Sequence, residues 1–164
     1  MTTAAIDLDW TTINRFSPGE WPPGVLEKMN GNVILALADI RDSLPRDHRM
    51  TPSPVPGAHI RATGTSRHSL EGGRLSDATD IYMDAWPHAY AAWEKALHHP
   101  AIGGLGFYLD KWIGNPNNNR PMLHFDCRDE KIYWVCYRAP NGNDVYVYHH
   151  RDPERFHQLM SRRQ

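Results

Sequence analysis

The chain has 164 residues, a formal net charge of −1 at pH 7, 40% hydrophobic residues and 23% charged residues. This composition is typical of a globular domain, excludes a disordered chain and provides no basic surface that would indicate a nucleic-acid partner. Two cysteines exclude a disulfide framework and a four-cysteine zinc site, and no apolar run approaches the roughly 18 residues of a membrane helix. Residues 1–10 lack the features of a Sec signal peptide, so we expect synthesis in the cytoplasm without a signal peptide.

The first half of the chain predicts one helix followed by short extended segments. Apolar residues at helical spacing predict a core helix over 25–44, which is broken near Asn30 and ended by Pro45. Three prolines make residues 50–57 extended or turning. The other predictions are a strand over 58–61, a glycine-containing loop over 63–77 and a strand over 78–83.

The second half predicts two helices and several strands. Two strands, 122–128 and 132–138, flank a tight turn at 129–131 and predict a β-hairpin. The other predicted elements are a helix over 87–99, strands over 103–108 and 145–149, and a short amphipathic helix over 153–163. A helix first and hairpin-joined strands afterwards predict an α+β domain with a small, mainly antiparallel sheet.

Three segments place histidine and aspartate on predicted strands or at their edges. They are Ser66-Arg67-His68, the run from Asp77 to Asp80, and Leu123-His124-Phe125-Asp126. Two imidazoles and one carboxylate on Zn²⁺ leave a fourth position open, which is the arrangement of hydrolytic zinc sites. The sequence therefore indicates a candidate metal site, although each segment alone is a weak signal.

Taken together, the segments follow the order of a known family's motifs. Ser66-Arg67-His68, a glycine-containing loop and Ala78-Thr79-Asp80-Ile81 resemble a Ser-x-His-x-x-Gly-x-Ala-x-Asp motif. The run 123–128 resembles a closing His-x-Asp strand, and Gly103-Gly104-Leu105-Gly106-Phe107-Tyr108 resembles a Gly-Val-Gly-x-Tyr strand. With Arg15-Phe16-Ser17-Pro18-Gly19-Glu20 upstream, these motifs resemble those of the zinc D-alanyl-D-alanine carboxypeptidases and L-alanyl-D-glutamate endopeptidases, over residues 14–137.

The resemblance implies a fold, a metal site and a reaction. The implied fold is Hedgehog/DD-peptidase-like, with helices on one side of the sheet, in a single domain over 1–164 that adds a strand and a helix at 144–163. The implied Zn²⁺ ligands are His68, Asp80 and His124. The implied reaction is hydrolysis of a peptide bond in peptidoglycan stem peptides, with zinc polarising the carbonyl and acidifying a water. Arg61 or Arg67 would pair with a substrate carboxylate, since a guanidinium binds carboxylates bidentately.

Two departures from the family pattern leave alternatives open. His68 and Asp80 are twelve residues apart, further than in the motif, so Asp77 competes with Asp80 as the ligand. Pro121 stands where many members carry the acidic base. Asp126 is the predicted replacement, because residues i and i+2 of a strand face the same side. Alternatively, Asp126 hydrogen-bonds a ligand histidine and fixes its tautomer.

The absent signal peptide suits a phage lysis enzyme or a virion-associated wall hydrolase as the setting of this interpretation. Three further hypotheses compete with it. The missing acid at Pro121 favours a non-catalytic structural or binding phage protein that keeps the fold, and a regulatory zinc-binding domain is a weaker alternative. A cysteine nucleophile, Cys127 with His124, is conceivable, but alternation along the strand points Cys127 away from the face that carries His124.

Overall fold

A computed structural model describes residues 3–54, 56, 66–109 and 120–161. These residues form three α-helices and one six-stranded sheet, which confirms the predicted α+β class. The helices are α1 (Gly31–Asp42), α2 (Trp86–Leu97) and α3 (Pro153–Met160); the strands are β1 (Met50–Pro52), β2 (Ala78–Met83), β3 (Gly104–Tyr108), β4 (Met122–Asp126), β5 (Ile132–Arg138) and β6 (Asp144–Tyr148).

The sheet has the strand order β1-β2-β4-β3-β5-β6, and only the β3–β5 pair is parallel. The predicted hairpin between 122–128 and 132–138 is therefore wrong, because β3 lies between β4 and β5. The segment that joins them crosses the beginning of β3 at Gly103, whose N–H donates to the Asp126 carbonyl and whose carbonyl accepts from the Ile132 N–H, both at 2.9 Å. Glycine permits this crossing, since a Cβ there would lie 1.8 Å from the carbonyl oxygen of Arg128.

Strand alternation gives the sheet two different faces. One face carries a cross-sheet row of fully buried apolar side chains that pack with the helices in the main core. Phe107 is at the centre of this row and contacts the rings of Trp86, Tyr90 and Trp93 on α2, with centroids 4.8–6.1 Å apart. Buried aromatic side chains of this size contribute much of the apolar area that stabilises a small domain. The opposite face carries a smaller cluster around Tyr108 and Trp134.

The beginning of α1 is joined to the loop that precedes β2. Asn30 caps the helix by accepting a hydrogen bond from the Asn32 N–H at 3.0 Å, so α1 begins at Gly31. The predicted helix over 25–44 is therefore wrong for residues 25–30, where Leu26–Lys28 form a separate 3-10 turn. Its side-chain amide also donates to Asp77 at 2.8 Å. The cap therefore holds the start of β2 against the first helix.

Most of the other predicted helices and strands are present in the described parts of the chain. The predicted helices and strands over 78–83, 87–99, 103–108, 145–149 and 153–163 are confirmed within a few residues at their ends. The predicted strand over 58–61, which contains Arg61, lies outside the described residues. No helix among the described residues has both the length and the apolar character that crossing a membrane requires.

We expect Gly103→Ala to lower the free energy of unfolding by about 1–3 kcal/mol, or to prevent folding, because the added methyl overlaps the Arg128 backbone. Urea denaturation measures this change. The matched control is Gly19→Ala, where a Cβ meets nothing within 4 Å and the expected change is within about 0.5 kcal/mol. Equal stability of the two variants would contradict the crossing at Gly103.

Candidate metal centre

Strand register brings two of the predicted ligands side by side on the face of the sheet that the helices leave uncovered. Asp80 of β2 is the direct cross-strand partner of His124 of β4, and Gly106 of β3 is the partner of His124 on its other side. The next partner along this row is Trp134 of β5. Because paired residues project to the same face, the carboxylate and the imidazole point into the same space.

The third predicted ligand, His68, reaches the same point from the loop before β2. Backbone and side-chain hydrogen bonds from Asp77 and Ser76 to the Arg67 carbonyl, at 3.0 and 3.3 Å, hold this loop beside the strand. His68 is 4% exposed and His124 is 6% exposed. The loop that separates His68 and Asp80 in sequence therefore does not separate them in space.

The three side chains converge on one another through defined atoms. His68 Nε2 lies 3.2 Å from His124 Nδ1, His124 Nδ1 lies 3.0 Å from Asp80 Oδ1, and His68 Nε2 lies 3.7 Å from Asp80 Oδ1. An ion with tetrahedral bonds of about 2.0–2.1 Å holds its ligand atoms about 3.3–3.4 Å apart. The spacing and the donor set of two imidazoles and one carboxylate thus fit a Zn²⁺ ion.

Asp126 lies beneath this cluster and contacts the other nitrogen of His124. Its Oδ2 is 3.1 Å from His124 Nε2, and Arg128 holds both carboxylate oxygens through Nε at 2.7 Å and Nη2 at 2.5 Å. Asp126 is fully buried. The absence of a side chain at Gly104 makes room for it, because a Cβ there would lie 2.1 Å from Asp126 Oδ2.

These contacts define the tautomer that His124 adopts as a ligand. Donation from Nε2–H to Asp126 leaves the Nδ1 lone pair directed at His68 and Asp80. Of the two roles that the sequence left open for Asp126, its surroundings favour orientation of His124, since both oxygens are engaged and shielded from solvent. The role of Asp126 as a base stays a prediction.

The same contacts shift the pKa values of both partners. Burial alone lowers the pKa of His124, but its hydrogen bonds to Asp126 and Asp80 outweigh burial and raise the pKa to about 9. Burial alone raises the pKa of Asp126, and the contacts with His124 and Arg128 outweigh it and lower the pKa well below its usual range. Without a metal ion, His124 therefore carries a positive charge at neutral pH.

The three side chains form the floor of an open cleft of about 320 Å³. Asp80 is the only carboxylate among the described residues that line the cleft. Its walls combine two guanidinium groups with aromatic rings, which suits a partly polar ligand that carries negative charge. The wall residues are Ser66, Arg67, Arg128, Tyr108, Trp134, Tyr146 and Tyr148.

The other predicted site residues have the following positions. Arg67 lines the cleft and lies 3.7 Å from Asp77, while Arg61 lies outside the described residues. Asp77 is bound to Arg74 at 2.9 Å and to Asn30, so Asp80 and not Asp77 lies in the cluster. Burial raises the pKa of Cys127 to about 12, which disfavours the thiolate that a cysteine nucleophile requires.

Arg128 and Gly104 are parts of the centre that the sequence analysis did not single out. Arg128 is two residues after Asp126. If the strand continues past Asp126, side-chain alternation puts Arg128 on the same face as Asp126, and this was the available signal. For Gly104, the available signal was the run Gly103-Gly104-Leu105-Gly106, where glycines inside a strand indicate close approach of a neighbour. The neighbour itself depends on strand order.

Comparisons of the chain with protein-family models, curated proteins and solved structures find no match. The resemblance to zinc peptidases thus stays a prediction that depends on the motifs quoted above.

We expect Asp126→Asn to weaken Zn²⁺ binding about 10- to 100-fold, because the amide no longer orients His124 as the carboxylate does. Competition with a chromophoric chelator measures the dissociation constant on protein that is shown to be folded by circular dichroism. The matched control Asp77→Asn should bind Zn²⁺ as the parent does, whereas Asp80→Asn should bind it far more weakly. Unchanged affinity together with lost turnover in Asp126→Asn would restore the role as a base.

Binding of Zn²⁺ at pH 7 should release about one proton, because the raised pKa keeps His124 protonated until the ion replaces the proton. The apparent affinity should accordingly fall as the pH is lowered from 9. Calorimetric titrations in buffers of different ionisation enthalpy measure the number of protons released. A heat of binding that is the same in all buffers would contradict a protonated His124.

Proposed function

We propose that this protein is a zinc-dependent hydrolase that cleaves peptide bonds in peptidoglycan stem peptides. The observation that carries the proposal is the convergence of His68, Asp80 and His124, with ligand atoms within 4.8 Å of one another, on the floor of an open cleft. The motif resemblance supplies the substrate class. A phage lysis enzyme or virion-associated wall hydrolase is the setting that the resemblance suggests.

In this proposal His68 Nε2, Asp80 Oδ1 and His124 Nδ1 hold the ion. Bound Zn²⁺ supplies Lewis acidity, which polarises a carbonyl and acidifies a water molecule. Because the three ligands leave the cleft side open, a substrate carbonyl can approach the centre from that side. Trp134 walls the centre, with its ring centroid 5.1 Å from that of His124.

The cleft walls provide groups for substrate binding. Arg67 retains 35% side-chain exposure and can pair with a carboxylate of the stem peptide, and Arg61 stays a predicted partner in the same role. Tyr108 also lines the cleft, and burial raises the pKa of its hydroxyl well above its usual value.

Asp126 is a positioning residue in this proposal. It holds His124 in the ligand tautomer, and Arg128 in turn holds Asp126, whose buried charge would otherwise be destabilising. Its predicted role as the base is tested by the turnover of Asp126→Asn relative to its zinc occupancy.

A non-catalytic metal-binding protein is the second candidate. The observation that favours it is that Asp80, itself in the cluster, is the only acid among the described cleft residues, while Pro121 occupies the position of the usual base. A metal held in this way would stabilise a structural or binding protein of a phage particle.

We expect His68→Ala and His124→Ala to lose zinc and hydrolysis together, because each removes one of three ligands. Release of amino groups from purified peptidoglycan measures hydrolysis, and elemental analysis of untagged protein measures zinc. His150→Ala, which removes an exposed imidazole, is the control and should retain both.

Three outcomes discriminate the candidates. Zinc and hydrolysis in the parent, with both lost in the ligand variants, support the proposal. Zinc without hydrolysis in the parent selects the second candidate. Zinc content that is equal in the parent and in both ligand variants would rule out the centre itself.

A further inference from the structure

A second group of histidine and aspartate side chains lies where β1 begins and β2 ends. Antiparallel pairing places Met50 opposite Met83, so the residues just before β1 and just after β2 are neighbours in space. Asp47 and His48 therefore meet His88, which lies in the first turn of α2. The group shares no residue with the centre formed by His68, Asp80 and His124.

The geometry of this group is that of potential metal ligands. One ligand atom from each of Asp47, His48 and His88 lies within 4.8 Å of the others. Asp84 Oδ1 lies 2.7 Å from His88 Nδ1, which leaves Nε2 as the ligand nitrogen and supplies the carboxylate support typical of metal-binding histidines. His48 Nδ1 is shielded from solvent and has no hydrogen-bond partner within the described parts of the chain.

We propose that Asp47, His48 and His88 bind a second divalent transition-metal ion, which joins the turn before β1 to the beginning of α2. Two imidazoles select Zn²⁺, Co²⁺ or Ni²⁺ over Ca²⁺ and Mg²⁺, which prefer ligand sets made entirely of oxygen. The role is structural, because the ion cross-links two segments that come from the ends of different strands. It does not depend on the proposed hydrolytic function.

Binding changes the arrangement of the two rings. The imidazoles of His48 and His88 are stacked, with centroids 3.8 Å apart and planes 20° apart. Because the lone pairs of parallel rings do not converge, one ring has to turn about its side-chain torsions to share an ion. His48 is the ring that turns, since its Nδ1 has no hydrogen-bond partner among the described residues to lose, whereas His88 keeps its contact with Asp84.

The test counts ions bound by the untagged full-length chain in equilibrium dialysis against micromolar Co²⁺ or Zn²⁺. The parent should bind two ions, His88→Gln one, the double variant His68→Gln/His124→Gln one, and the triple variant none. His150→Gln, which removes an exposed imidazole, is the control and should bind two. Zn²⁺ should also raise the melting temperature of the double variant, and this increase should disappear in the triple variant.

The outcomes separate this site from the proposed catalytic centre. If His88→Gln binds as many ions as the parent, the second site is overturned, whether or not the first site is present. If the parent binds one ion that is lost in His88→Gln and retained in His68→Gln/His124→Gln, the second site stands and the proposed hydrolytic centre fails. Should the double variant not fold, the loss of one ion from two in His88→Gln alone decides the question.

Discussion

Antiparallel pairing between β2 and β4 sets the positions of Asp80 and His124, and the rest of the candidate centre is arranged around this pair. The two residues occupy one cross-strand position, so their side chains share a face without any contribution from loop geometry. The adjacent strand contributes Gly106 at the same level, where a Cβ would lie 2.4 Å from the Trp134 ring. Trp134 can therefore lie beside His124 and form a wall of the centre.

In the candidate metal centre, the carboxylate that orients His124 is the buried Asp126, whose charge is costly in free energy. A carboxylate without exposure, such as Asp126, is tolerated only when its charge is compensated. Arg128 compensates it from one side and His124 from the other, while Gly104 provides the space. The same contacts that stabilise this charge also orient a ligand nitrogen, so local stability and metal binding depend on the same atoms.

Local patterns predicted most of the secondary structure but not the order of the strands. Helical periodicity located α1 but extended it too far toward the N-terminus, and alternation located β2, because both patterns depend on neighbouring residues. The hairpin prediction for β4 and β5 failed because a short connection is compatible with either direct pairing or a crossing over a third strand. The glycine at 103 permits the crossing, but the sequence alone does not identify the strand that is crossed.

The sequence by itself determined the chemistry of the candidate ligands: two imidazoles and a carboxylate on or beside strands, with His124 and Asp126 on one face by alternation. The motif resemblance already favoured Asp80 over Asp77, and the tertiary structure groups Asp80 with the two histidines. Only the tertiary structure showed that Arg128 holds Asp126 and brought His48 beside His88. The reason is that alternation and periodicity describe directions along one segment. Distances between segments far apart in the chain are set by strand register and sheet order, which form only when the whole domain packs.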